Sequence, residues 1–244
     1  METQTIGDRI ASVQAEIAQA CQRAGRSPKR VTLVAVSKTH SAAEVVSAVE
    51  AGLHDFGENR IEEALDKIPG VTNLTDQPIR WHMVGHVQDR KARYVVNDFA
   101  LLHSLDSVKL AERLNSILAG RERPLDVLLE MNVSGESSKH GWQARRWSSD
   151  SDARQTLWDD VRRITELPGL RVSGLMTMAP IVPDPELARP IFVRLRKLRD
   201  ALANDFPEAT WSELSMGMTD DYPVAVEEGA TLVRIGRAIF GPRN

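Results

Sequence analysis

The run Val31-Thr32-Leu33-Val34-Ala35-Val36-Ser37 ends on Lys38. An ammonium at the mouth of an apolar strand carries a desolvation cost, so its presence needs a reason. A lysine so placed can lower its pKa and form a Schiff base with a carbonyl compound. A strand-end lysine can also extend its head group to solvent, and position alone leaves both readings open. Two glycine-bearing segments stand far along the chain, Ser215-Met216-Gly217 and Gly236-Arg237. Glycines let backbone N–H groups approach phosphate oxygens, and Thr219-Asp220-Asp221 resembles an N-cap opening a short helix. Arg237 would help to neutralise such a phosphate. Each signal is weak alone, but with Lys38 they describe a phosphorylated aldehyde held at both ends. Arg234 lies inside Leu232-Val233-Arg234-Ile235, where strand alternation puts Leu232 and Arg234 on one face. An inward arginine needs an acceptor, because an unpaired buried guanidinium is costly. A pyridine nitrogen or an inward carboxylate such as Glu213 would serve.

These residues need a frame that gathers them. Ile6, Ile10, Val13, Ile17 and Ala20 recur at spacings of four and three, which predicts an amphipathic helix over 5–24, stopped by Gly25 and Pro28. Strands are predicted at 31–37, 53–56, 80–84, 98–104, 125–131, 170–176, 211–214 and 231–235. Helices are predicted at 42–51, 60–67, 88–96, 108–119, 157–167, 185–203 and 222–228. Strands alternating with helices argue for a parallel sheet, and eight of them favour a closed barrel over an open sheet. The expected fold is α/β, a single (β/α)8 TIM-type barrel over 1–244 with an extra N-terminal helix. The stretch 135–153, with Trp142 and Trp147, reads as a loop after the fifth strand. In such a barrel the residues following each strand meet on one rim. Here they include Lys38, Asn59, His86, His103, Ser215, Gly236 and Arg237.

The chain has 244 residues, with 31 Lys and Arg against 34 Asp and Glu, a net charge of −3. That balance gives no reason to expect nucleic-acid binding. The single Cys21 excludes an internal disulfide and a multi-cysteine metal site. There is no HExxH or comparable histidine pair, so no metal is expected, and His82 reads as a satisfied structural histidine. No apolar stretch reaches membrane-spanning length and METQTIGDRI has no signal-peptide core, so a cytoplasmic location is expected.

Seven ordered segments together resemble the pyridoxal 5′-phosphate (PLP) homeostasis protein family. They are VAVSKTH at 34–40, FGENRIEEA at 56–64, WHMVGHVQDRK at 81–91 and HSLDS at 103–107. NVSGESSKHG at 132–141, GLMTMAP at 174–180 and LSMGMTDDYPVAVEEGATLVRIGRAIFG at 214–241 complete the set. The resemblance covers nearly the whole chain and implies the barrel of the alanine racemase N-terminal domain. It implies that Lys38 forms an internal aldimine with PLP and that Arg234 faces the pyridine nitrogen. It places Ser215, Gly236 and Arg237 around the phosphate, with Asn59 and Met216 lining the cofactor site. Arg237 stands where many relatives have a small hydroxyl residue, so its backbone N–H is the expected phosphate contact. Lys139 matches a second family lysine with a role in PLP transfer.

An arginine donating to the pyridine nitrogen leaves it unprotonated, a poorer sink for a carbanion. The resemblance therefore implies a monomeric PLP carrier that supplies apo-enzymes, with no catalytic residues. The absence of a second domain after Asn244 is read the same way. The alternatives are a PLP-dependent amino-acid racemase and a cofactor-free Schiff-base aldolase. Barrel aldolases usually carry their lysine on a later strand.

Overall fold

The computed structural model describes residues 4–242. Helix α1 (Ile6–Arg23) opens the chain, with Thr5 and Asp8 capping each other's backbone. Its buried face holds Ile10, Val13, Ile17 and Ala20, as the spacing predicts, together with Cys21. Then follow β1 (Thr32–Val36), α2 (Ala42–Glu50), β2 (Asp55–Glu58), α3 (Ile61–Thr72), β3 (Arg80–Met83) and α4 (Ala92–Asp98). Next come β4 (Leu101–Leu105), α5 (Val108–Leu118), β5 (Leu125–Asn132), β6 (Trp142–Gln143) and α6 (Ser151–Thr165). The chain continues through β7 (Leu170–Met176), α7 (Arg189–Asp205), β8 (Glu213–Ser215), α8 (Tyr222–Glu227), β9 (Leu232–Ile235) and α9 (Arg237–Phe240).

The strands run in the order β4-β3-β2-β1-β9-β8-β7-β5, and pairing of β4 with β5 closes the ring. Every pair is parallel, so the closed eight-stranded barrel matches the expectation. The two-residue β6 adds to β5 outside the ring. Alternation along each strand sends one set of side chains outward and the other inward. The outward set, such as Ala35, Phe56, Leu102, Leu129 and Val233, packs under the helices in the main core. The inward apolar layer is small: Val34, Leu128, Met176 and Leu232. Much of the remaining barrel interior is polar, and there the chemistry sits. Among the described residues, no helix is long and apolar enough to cross a membrane.

Three departures from the sequence reading have local causes. The second strand begins at Asp55, not Leu53. Gly52 has φ +91°, and Leu53 N–H donates to Ala48 O at 3.1 Å while Gly52 N–H donates to Val49 O at 2.9 Å. That is a Schellman stop, and it uses Leu53 to end α2. The seventh barrel strand, expected at 211–214, also shifts: β8 starts at Glu213 because Trp211 is turned back, its Nε1 donating to Phe206 O at 2.9 Å. The expected loop 135–153 contains β6 and the start of α6, capped where the Asp150 side chain accepts from Ala153 N–H.

Candidate functional site

A cavity of about 630 Å³ opens at the C-terminal end of the barrel, within the range of small-molecule sites. Lys38, Asn59, Arg234, Gly236 and Arg237 line it, joined by Thr219 and by the apolar side chains Val36, Val84 and Met178. Lys38 is half-buried and its position is set by both neighbours. On one side Ser37 is buried, its Oγ donating to Glu58 Oε1 at 2.6 Å while Lys67 Nζ donates to its carbonyl at 2.6 Å. On the other side Thr39 has φ +68°, a left-handed conformation that a β-branched residue adopts at roughly 1–3 kcal/mol. Thr39 N–H donates to Glu63, which also receives Lys67 Nζ at 2.8 Å. Lys67 thus ties Glu58, Glu63 and Ser37 into a buttress behind the Lys38 turn. Burial raises the Glu58 carboxyl above its ordinary range despite that lysine, and its Oε2 lacks a hydrogen-bond partner among the described residues.

Asn59 follows β2, and the chain at Gly85 passes directly against it. A Cβ at position 85 would stand 2.1 Å from Asn59 O, so only glycine fits. At the far wall Gly217, with φ +93°, would bring a Cβ within 2.6 Å of Ala225 Cβ. Its carbonyl accepts from Arg234 N–H at 3.0 Å, which locks the turn after β8 to β9.

Arg234 points into the barrel and is 6% exposed. Its guanidinium donates to Ser215 Oγ at 2.5 Å and to Thr177 O at 2.9 Å. Glu213, the carboxylate considered above, instead accepts from Thr231 Oγ1 at 2.5 Å. Burial lowers the Arg234 pKa to about 10, with Asp221 and Glu130 opposing through space. From Ser215 a polar column descends through the barrel. Ser215 Oγ lies 2.7 Å from His103 Nδ1, His103 Nε2 lies 2.9 Å from His82 Nδ1, and His82 Nε2 lies 2.9 Å from Asp55 Oδ1. Burial holds His103 well below the usual histidine range, so it is neutral. One donor order satisfies each contact: Arg234 to Ser215, Ser215 to His103, His103 to His82, and His82 to the Asp55 carboxylate. His82 is the satisfied structural histidine the sequence suggested, and the column is what it belongs to. Beside it, inward Glu130 is 4% exposed, and burial pushes its pKa up to about 7, reinforced by Asp106.

Two expected site residues lie off the cavity wall. Ser215 is fully buried behind Arg234, and Met216 is fully buried in the outer core. Arg237 lines the cavity and turns its guanidinium to Asp220 at 2.5 Å. Thr219, read as an N-cap, is a wall residue; Asp221 occupies the cap position of α8, its Oδ1 accepting from Met218 N–H at 2.6 Å. A hydroxyl two residues past Gly217 is the signal for it. Lys139 is outside the lining but near it: its Nζ donates to Met178 O at 2.9 Å and pairs with Glu136.

Residues 9–244 match the alanine racemase N-terminal domain family. A protein of Pseudomonas aeruginosa named pyridoxal phosphate homeostasis protein is 42% identical over 98% of this chain and 96% of its own length. The protein of that name from Escherichia coli K12 is 37% identical, covering 98% and 97%. The solved structure of PipY from Synechococcus elongatus PCC7942 with PLP bound is 34% identical, covers 97% of this chain and all of PipY, and superposes with a TM-score of 0.80. Alanine racemase of Clostridium difficile 630, at 12% identity and TM-score 0.67, shares the fold; 57% of that chain is covered. The chain therefore belongs to the alanine racemase N-terminal domain family and, within it, to the pyridoxal phosphate homeostasis proteins.

Proposed function

We propose that this chain binds PLP at the C-terminal mouth of its barrel, covalently through Lys38, and stores and hands on the cofactor with little turnover of its own. The observation that carries the reading is one cavity with Lys38 and Arg234 on its wall. The donor set suits the cofactor: an amine for the aldehyde, Val36, Val84 and Met178 for the flat ring, and a guanidinium for the ring nitrogen. Thr219, Gly236 and the Arg237 backbone serve the phosphate end, with Asn59 on the same wall. Ser215 then acts on Arg234 instead of on the phosphate, and Met216 packs behind the wall. The names of the relatives and the PLP in PipY support this.

Bound PLP supplies an electron sink, and the protein sets its strength. Arg234 would donate a hydrogen bond to the ring nitrogen without giving up a proton, which would leave that nitrogen unprotonated and the sink weak. The hydrogen-bonded partners of Arg234 are neutral oxygens, a hydroxyl and a carbonyl. The site thus favours storage and delivery to PLP-dependent apo-enzymes over racemisation, and a monomer suffices for it.

The test has two arms. Purified chain mixed with PLP develops a new absorbance band, and Lys38→Ala does not. The loaded protein with L-alanine in deuterated water retains the α-proton over hours. A Lys38→Ala protein with an unchanged band overturns the attachment, and rapid α-proton exchange overturns the carrier reading in favour of a racemase.

A further inference from the structure

Three side chains outside the cavity converge on the same rim. His86 follows β3, Asp106 follows β4, and His140 lies between β5 and β6. β4 pairs with both β3 and β5, so all three come from one sector of the barrel mouth. One donor atom from each, two imidazole nitrogens and a carboxylate oxygen, lies within 4.8 Å of the other two. The rings of His86 and His140 are stacked, their centroids 4.2 Å apart and their planes 11° apart. His86 Nδ1 is 2.8 Å from Asp106 Oδ2, while Ser107 Oγ donates to Asp106 Oδ1 at 3.3 Å.

We propose that His86, Asp106 and His140 form a binding site for a divalent transition-metal ion, with zinc the best match. Two nitrogens and one oxygen are a borderline donor set. Calcium and magnesium require six or more ligands, nearly all oxygen. Three protein ligands with water in the fourth position are the usual open zinc arrangement. Metal–donor distances of about 2.0–2.2 Å put tetrahedral donors about 3.3 Å apart. Closing the triad on an ion therefore moves its widest pair by about 1.5 Å, within reach of side-chain rotation. Both histidines are exposed, so the closure shifts their own stacking contact and leaves the buried core in place. Asp106 is the fixed ligand, its side chain 10% exposed and its second oxygen held by Ser107.

The site has a consequence for the cavity. His140 follows Lys139, whose Nζ holds the carbonyl of Met178 on the cavity wall. An ion at the triad ties this loop to the ends of β3 and β4, and so ties Lys139 beside the cavity mouth. Histidine spacing along the chain could not reveal the triad, because its ligands come from three separate loops.

The test uses full-length chain without a histidine tag, stripped with chelator and titrated with Co²⁺, then Zn²⁺. The expected result is one Co²⁺ per chain with a visible d–d band, displaced by one equivalent of Zn²⁺. His140→Ala and Asp106→Asn each weaken binding at least about tenfold, while His54→Ala, an exposed histidine elsewhere, leaves it unchanged. No saturable band below millimolar Co²⁺, or His140→Ala binding as tightly as the parent, overturns the proposal. Unchanged circular dichroism of the variants separates ligand loss from unfolding.

Discussion

The barrel has a cavity at each mouth, about 500 Å³ at the N-terminal end and about 630 Å³ at the C-terminal end. Size does not distinguish them; the state of their charges does. At the N-terminal mouth Arg80 donates to Asp55 at 2.8 Å, and Arg171 donates to Asp126 with Nη2 at 2.6 Å. Each guanidinium there already faces a carboxylate. At the C-terminal mouth Arg234 is held by a hydroxyl and a carbonyl, and carboxylates reach it only through space. A cation held by neutral acceptors keeps its charge available to an incoming acceptor, whereas an ion pair has already met its own need. The histidine column joins the two ends, from Arg234 to the Asp55–Arg80 pair.

Four substitutions break or sharpen this contrast. Lys67→Met removes the buttress behind Lys38 and leaves buried Glu58 without its cation. The expected loss is about 3–5 kcal/mol of folding stability, read from urea midpoints at neutral pH.

Glu130→Gln tests the buried acid of the upper end. Its pKa is raised to about 7 from 4.5, so the folded state holds this proton more tightly than the unfolded state does. Stability from this group is therefore intact below about pH 4.5 and falls as pH rises through 7, by about 3 kcal/mol in full. Relative to the parent, the glutamine variant should gain stability between pH 5 and pH 8. Equal urea midpoint differences at both values would remove Glu130 from that role.

Arg234→Gln takes away the cation held by neutral partners. Loss of one charge-assisted contact is worth about 1.5–3 kcal/mol, so PLP affinity should fall about 10- to 100-fold by equilibrium titration. Asp126→Asn, at the opposite mouth, breaks an ion pair whose arginine side chain is 59% exposed. It should change stability by less than about 1 kcal/mol and leave PLP affinity within about twofold. A comparable loss of affinity from Asp126→Asn would erase the distinction between the ends.

The elements and half of the site were legible for a simple reason. Strand-end residues of a parallel barrel must meet at one rim, so Lys38, Asn59 and Gly236 could be assembled without knowing the register. Depth could not. Ser215 is the last residue of β8 but pairs with Met176 and Leu232, which sets it within the barrel beneath the rim. That stagger is a property of the closed sheet and leaves no mark on a three-residue strand. The same ignorance of register hid the column, since His82, His103 and Ser215 come from three strands. Met216 follows β8 on the opposite side of the alternation, so its side chain joined the helices. Leu53 looked like strand because a Schellman motif also asks for an apolar residue just past its glycine.

Lys38, at the mouth where Arg234 keeps its charge available, is the proposed point of cofactor attachment. The most direct measurement is borohydride reduction of PLP-loaded protein, then digestion and mass spectrometry of every lysine peptide. The dominant product expected is a reduced pyridoxyl phosphate adduct on the peptide containing Lys38. Label on Lys139 or another lysine with Lys38 unmodified would contradict it.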